Sequence, residues 1–186
     1  MKSIIDPSAV IHPSAYVNPE NVVVEKDVVI GPLSAVGIHS LVTEREYLVM
    51  GKKRRIDLEG QLVIKENVDI GPLNSLSLGS IEGSNTIINK NVIIGSSNII
   101  AHDVFIGEET VIIGNIVLAG HVQVGKKCRI GPGAAIRERI KIGDGAVISM
   151  GSIVTQDVEA GRRVTGNFAI DHDVFLNDLK EKMGKI

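Results

Sequence analysis

A chain of 186 residues with 44% hydrophobic content is long enough for one domain with a sizeable buried core. A formal net charge of −2 and a pI of about 6.2 lack the strongly basic face of a nucleic-acid binder, and the single cysteine, Cys128, excludes an internal disulfide framework. No stretch reaches the roughly 18 uninterrupted apolar residues of a membrane span, and "MKSIIDPSAV" meets Asp6 and Pro7 too early for a secretory leader, so a cytoplasmic protein is expected.

From the N-terminus, aliphatic residues recur six apart at Ile5, Ile11 and Val17, then after one extra residue at Val24, Ile30, Val36 and Val42. "TEREYLVMGKKRRID" at 43–57 interrupts the beat, which resumes at Leu58, Ile64, Ile70 and Leu76. "LGSIEGSNT" at 78–86 interrupts it again. From Ile88 the period then runs without a slip through Ile94, Ile100, Ile106, Ile112, Leu118, Val124, Ile130, Ile136, Ile142 and Ile148 to Val154. Four residues after each stands a second, often small or β-branched residue, among them Val104, Thr110, Val122, Cys128, Ala134, Ala146 and Ser152. The tail "DHDVFLNDLKEKM" offers an N-cap aspartate, Asp171, and an apolar stripe at Phe175, Leu176, Leu179 and Met183, which predicts a short helix.

Six matches neither the helical period of 3.6 nor plain strand alternation. It suits a short strand and a corner, with the first and fifth residues of each unit pointing inward. Three such sides make a triangular coil, and coils stack at the parallel-strand spacing of about 4.8 Å. The narrow prism explains why aromatics are only 3% and tryptophan is missing. Glycine, frequent directly after the first inward position, is expected at corners whose backbone conformation is hostile to Cβ. The predicted fold is all-β, a parallel β-helix over 1–168 with loop insertions near 43–57 and 78–86, followed by a C-terminal α-helix over 169–186. Insertions in such repeats emerge on one face, often the binding face.

His102 stands two residues after inward Ile100, and His121 three residues after inward Leu118, so both are expected at corners. At 19 residues apart, one more than a coil, they should lie close together, with Asp103 beside them. Spacing alone is equally met by two solvated histidines. Cys128, at an inward position, is expected to be a small core residue instead of a nucleophile.

The flanking sequence adds more. "IAHDVFIG" at 100–107 followed by "GNIVLAGHVQVG" at 114–125 resembles the core of the UDP-N-acetylglucosamine acyltransferases of lipid A synthesis, within the hexapeptide-repeat, left-handed β-helix superfamily. The histidine-acid corner is also similar to that of nucleotide-amino-sugar N-acetyltransferases. What the resemblance implies is a left-handed coil, a homotrimer with active sites between subunits, and acyl transfer from a thioester to an amino or hydroxyl group of a sugar nucleotide. It implies His102 as general base, Asp103 as the group that orients it, Gly120 as oxyanion donor, and Asn115, His121 and Asn98 as substrate contacts. "RRVTGNFA" at 162–169 resembles the superfamily's "V-x-G-N-P-A" signature near coenzyme A, with Phe168 in place of proline. Arg162, Arg163 and Asn167 are therefore the expected donor-binding residues, with acetyl-CoA or another acyl thioester as donor and no metal.

The chain departs from the lipid A enzymes at three places. Ile99 stands where they have a histidine, Arg137-Glu138 replace their histidine-glutamine pair, and the tail after the coil is short. These departures favour coenzyme A over a carrier protein, and N-acetylation over transfer of a longer chain. "KKRR" at 52–55 reads first as a solvated loop and second as a phosphate contact. Two other classes use such a coil: a zinc enzyme of the γ-carbonic-anhydrase type, and a non-catalytic structural β-helix that would need no histidine-aspartate corner.

Overall fold

The computed structural model describes residues 1–39, 60–166 and 172–183. The strands of the described residues form three parallel sheets of 7, 8 and 7 strands, the faces of a triangular prism, and the chain visits them in rotation as a left-handed parallel β-helix. The first face includes Asn85–Ile88, Phe105–Ile106 and Gln123–Val124; the second, Ile93–Ser96, Val111–Gly114 and Arg129–Ile130; the third, Ile99–Ile100, Val117–Leu118 and Ala135–Ile136. A helix spans His172–Met183. The side chains of its expected apolar stripe, the insertion at 43–57 with its KKRR stretch, Asp171 and Asn167 all lie outside the described residues.

Register follows the hexad. Ile88 pairs with Ile106, Ile94 with Ile112 and Ile100 with Leu118, each 18 residues on. Ile5 pairs with Val24, 19 residues on, which absorbs the extra residue after Val17. Ile64 pairs with Ile88, 24 residues on, so the loop before Asn85 adds six residues to that coil. Both inward positions of the unit are buried, from Ile88 and Val92 through Ile148 and Ser152. Burying an aliphatic side chain of this size stabilises by about 1.5–3 kcal/mol. Cys128 is one of these inward residues, and burial pushes its thiol pKa up, as befits a packing residue.

The inward position also admits polar residues that bond the coil together. Asn74 Nδ2 donates to the carbonyls of Gly71 at 2.8 Å and Gly95 at 2.7 Å. Its Oδ1 accepts the Asn98 N–H at 2.9 Å, and Asn98 Oδ1 in turn accepts the Ile116 N–H at 3.0 Å. Thr110 Oγ1 accepts the Cys128 N–H at 3.0 Å and donates to Gly125 O at 2.8 Å. A buried amide or hydroxyl is tolerated here because backbone groups of the neighbouring coil pair with it.

Glycine serves the corners in two ways: Gly133 (φ 71°), Gly145 (φ 68°) and Gly151 (φ 66°) take the left-handed backbone as expected, and the glycines directly after the inward position answer a steric need. The left-handed backbone falls three residues after the first inward position, and non-glycine residues mostly fill it: Asn91 (φ 59°), Ser97 (φ 60°), Asp103 (φ 58°), Glu109 (φ 59°) and His121 (φ 61°). The glycine one residue after the inward position is instead pressed against the next coil. A Cβ at Gly31 would lie 2.7 Å from Gly71 C, and one at Gly131 would lie 2.7 Å from Met150 N. Those neighbours are backbone atoms with nowhere to move. Gly131→Ala should therefore destabilise the coil by about 1–3 kcal/mol, whereas Ser97→Gly should change stability by less than about 0.5 kcal/mol because relief of the left-handed strain offsets the entropy of glycine. Denaturant midpoints of the two variants check the contrast.

Candidate active site

The corner between the third and first faces differs from the other two. Consecutive coils place Ala101–Val104, Ala119–Val122 and 137–140 there, one beneath another. The loop at 78–84 leaves the coil at the same corner.

His102 and His121 meet as the spacing predicted. Their ring centroids are 5.1 Å apart with an interplanar angle of 89°. His121 N–H donates to His102 O at 3.0 Å, which fixes one corner upon the other. Gly120 lies directly against the His102 ring: a Cβ there would be 2.7 Å from Cε1 and 2.8 Å from Nε2. Only glycine leaves the imidazole this place. The Gly120 N–H has no hydrogen-bond acceptor among the described residues.

Asp103 organises the corner. Its Oδ2 lies 2.8 Å from His102 Nδ1 and 3.7 Å from His121 Nδ1. Its Oδ1 accepts the Ser80 N–H at 3.1 Å, and its own N–H donates to Thr86 Oγ1 at 2.9 Å. Burial pushes this carboxyl up, but hydrogen bonds from Ser80, His102 and Ser84 more than offset it and hold the pKa at about 2. An ionised carboxylate only accepts, so His102 Nδ1 must carry the proton in the 2.8 Å bond. The neutral ring then keeps its lone pair on Nε2, beside Gly120. The side chains of Asp103, His102 and His121 are 10%, 18% and 37% exposed, so the cluster is sheltered but open to a ligand.

Burial pushes the His121 imidazole below the ordinary histidine range; Asp103 draws it back, and Arg139 and His102 press it down again. Arg139, one coil beyond, is thus part of the site's field, and the sequence reading missed it. It also missed Ser80, Ser84 and Thr86, whose only signal was the broken hexad at 78–86. The ligand atoms of His102, Asp103 and His121 all lie within 4.8 Å of one another, a donor set that could hold a divalent transition metal.

The other expected site residues stand elsewhere. Asn98 is 1% exposed inside the prism, its amide committed to Asn74 and Ile116, so within one chain it is a rung of the coil and offers no substrate contact. Asn115 is exposed at the corner between the second and third faces, away from His102. Arg162 and Arg163 are exposed near the last coil, Arg162 3.3 Å from Glu159. A groove of about 320 Å³ on the first face is lined by Phe105, Gln123, Lys141 and Asp157–Ala160, among others, and includes none of the four corner residues. The convergence of His102, Asp103, Gly120 and His121 therefore marks the chemical site better than cavity volume does.

No helix among the described residues is long and apolar enough to cross a membrane. Residues 121–156 match the family model "Bacterial transferase hexapeptide (six repeats)". Among solved structures, the chain is similar to LpxA of Acinetobacter baumannii, at 24% identity and a TM-score of 0.59, over 97% of this chain and 76% of that one. It is similar to Arabidopsis UDP-N-acetylglucosamine acyltransferase at 24% identity and a TM-score of 0.64, over 88% and 71%. For UDP-N-acetylglucosamine acyltransferase of Campylobacter jejuni the figures are 23% and 0.58, over 95% and 82%. The chain carries the bacterial transferase hexapeptide repeat at 121–156 and has the left-handed β-helix fold of these acyltransferase structures.

Proposed function

We infer that the protein is an acyltransferase that moves an acetyl or longer acyl group from a thioester to an amino or hydroxyl group of a nucleotide-linked sugar. The observation that carries this is the disposition of His102: Nδ1 held by Asp103 at 2.8 Å, and Nε2 set against Gly120 with no hydrogen-bond partner among the described residues. Acyl transfer needs a base that takes a proton from the attacking amine or hydroxyl, and a donor that faces the negative charge growing on the carbonyl oxygen. Neutral imidazole is matched to the first task near neutral pH, and an unengaged N–H to the second.

In the mechanism, the acceptor's N–H or O–H proton passes to His102 Nε2 as the acceptor atom bonds to the thioester carbon. The carbonyl pair moves onto oxygen, where the Gly120 N–H meets it. The intermediate then collapses, the C–S bond breaks, and the imidazolium returns its proton to the departing thiolate. Asp103 stabilises the imidazolium throughout. The donor is a coenzyme A thioester, bound with Arg162, Arg163 and Asn167, and N-acetylation of an amino sugar is the favoured reaction. The working protein is a cytoplasmic homotrimer. Exposed apolar residues on the third face (Tyr16, Ile99, Val117 and Ile153) offer area for subunit contact. Asn115 joins the His102 corner of a neighbouring subunit.

A zinc hydratase of the carbonic-anhydrase type is the second reading, favoured by the clustered donors of His102, Asp103 and His121. Elemental analysis of purified protein decides between them: the acyltransferase is expected without stoichiometric zinc, and one zinc per chain that is lost in His121→Ala would install the hydratase instead.

His102→Ala should lower acyl-transfer turnover by about 10² or more with the β-sheet circular dichroism unchanged. Activity equal to the parent on the true substrate would remove the mechanism. Asp103→Asn, which no longer dictates the tautomer, should lower kcat by roughly 10²–10⁴, measured as steady-state kinetics beside a check of substrate KM.

A further inference from the structure

The loop at 78–84 is the longest described insertion in the stack, and its Ser80 N–H turns toward the Asp103 carboxylate. It is built to be stiff. At its base Gly79 N–H donates to Gln61 O at 3.0 Å, Gly60 N–H to Gly79 O at 3.1 Å, and Gln61 N–H to Ser84 O at 3.0 Å. Gly79 is packed so closely that a Cβ would lie 2.6 Å from Ser84 C and 2.7 Å from Ser84 Oγ. At its tip Ser84 N–H donates to Ile81 O at 3.0 Å, Ser84 Oγ accepts the Ile81 N–H at 3.1 Å, and Gly83 takes a left-handed φ of 81°. The tied loop delivers the Ser80 N–H to Asp103 Oδ1 at 3.1 Å. Two residues beyond the loop, buried Thr86 accepts the Asp103 N–H.

Asp103 needs this support. Its backbone is left-handed, its side chain is largely buried, and its Oδ2 lies between two imidazoles, so without a partner on Oδ1 the carboxylate could rotate about its own Cβ–Cγ bond and release His102. The Ser84 hydroxyl donates to Ile81 O at 2.9 Å and so locks the turn, and the Ser80 N–H, 3.1 Å from Oδ1, is the loop group hydrogen-bonded to the carboxylate. We propose that the 78–84 loop is a positioning device for the His102–Asp103 pair, in which Ser80 is the positioning residue and Ser84 locks the turn that presents it. The loop thereby sets the tautomer of His102 from outside the corner. Its role in turnover rests on the acyl-transfer function above; its role in holding the pair does not.

The test uses the full chain with Ser80→Ala, Ser80→Thr and the double variant Ser80→Ala/Ser84→Ala, read by carboxyl-carbon and imidazole-nitrogen NMR as well as kinetics. In the double variant the Ile81–Ser84 turn that presents the Ser80 N–H is no longer locked, and the Asp103 carboxyl-carbon shift should change as Oδ1 loses that donor. The His102 nitrogen shifts should show loss of the single Nδ1–H tautomer, and kcat should fall about tenfold with KM little changed. Ser80→Ala and Ser80→Thr, which keep the Ser80 N–H and the Ser84 lock, should match the parent in all three. An Asp103 carboxyl-carbon shift and a His102 tautomer identical to the parent in the double variant would overturn the proposal. A lost tautomer with undiminished turnover would sustain the positioning role and overturn the general-base mechanism, so the two failures are separable.

Discussion

The structure of the described residues depends on each coil lying in register on the next, with residue n over residue n + 18 wherever the hexad runs unbroken from Ile88 to Val154. Parallel backbone hydrogen bonds fix the coil spacing, and inward aliphatic side chains such as Ile94, Ile112 and Ile130 then stack one above another. The space inside is set by the narrow triangle, so the core is made of Ile, Val and Leu. The inward polar residues Asn74, Asn98 and Thr110 are paired with backbone of an adjacent coil, since an unpaired amide there would keep its full desolvation cost; the buried Ser152 hydroxyl has no such partner among the described residues. The same spacing leaves glycine no alternative at Gly31 and Gly131, where the next coil's backbone occupies the place of a Cβ.

The stack is also what builds the site. A catalytic pair on two loops would have to be held by contacts made for that purpose. Here the hydrogen bond from His121 N to His102 O is one more rung of the corner ladder, and it delivers Gly120 to the His102 ring without further machinery. The carboxylate is a different matter. Nothing in the hexad repeat supplies a donor for Asp103 Oδ1, and the insertion at 78–84 supplies it by breaking the repeat one coil earlier. Regularity places His102 beside Gly120 and His121; irregularity gives Asp103 its donor.

Much of this was legible residue by residue. The unbroken period from Ile88 to Val154 stated which side chains point inward, and all of them are buried. The 19-residue separation of His102 and His121 stated that they would meet, because in a coil of 18 an offset of one residue stays at the same corner. Asn98 misled because its position was read from resemblance; its place in the count, four residues after Ile94, is an inward one, and that count is what the chain obeys. Glycine's frequency at the corners was visible, but a contact between Gly131 and Met150 is made across coils and leaves no mark in local sequence.

What the sequence alone determined is the frame, because a repeat of six with two inward positions has one efficient way to bury itself and needs no distant information to be counted. What only the tertiary structure decided is where the insertion points. Ser80 reaches Asp103 through a loop whose path is set by Gly60, Gly79 and Ser84 meeting across the break, and Asn115 parts from His102 because they occupy different corners of the triangle. Direction in space depends on how non-repeating segments close against the stack, and periodicity holds no record of that closure.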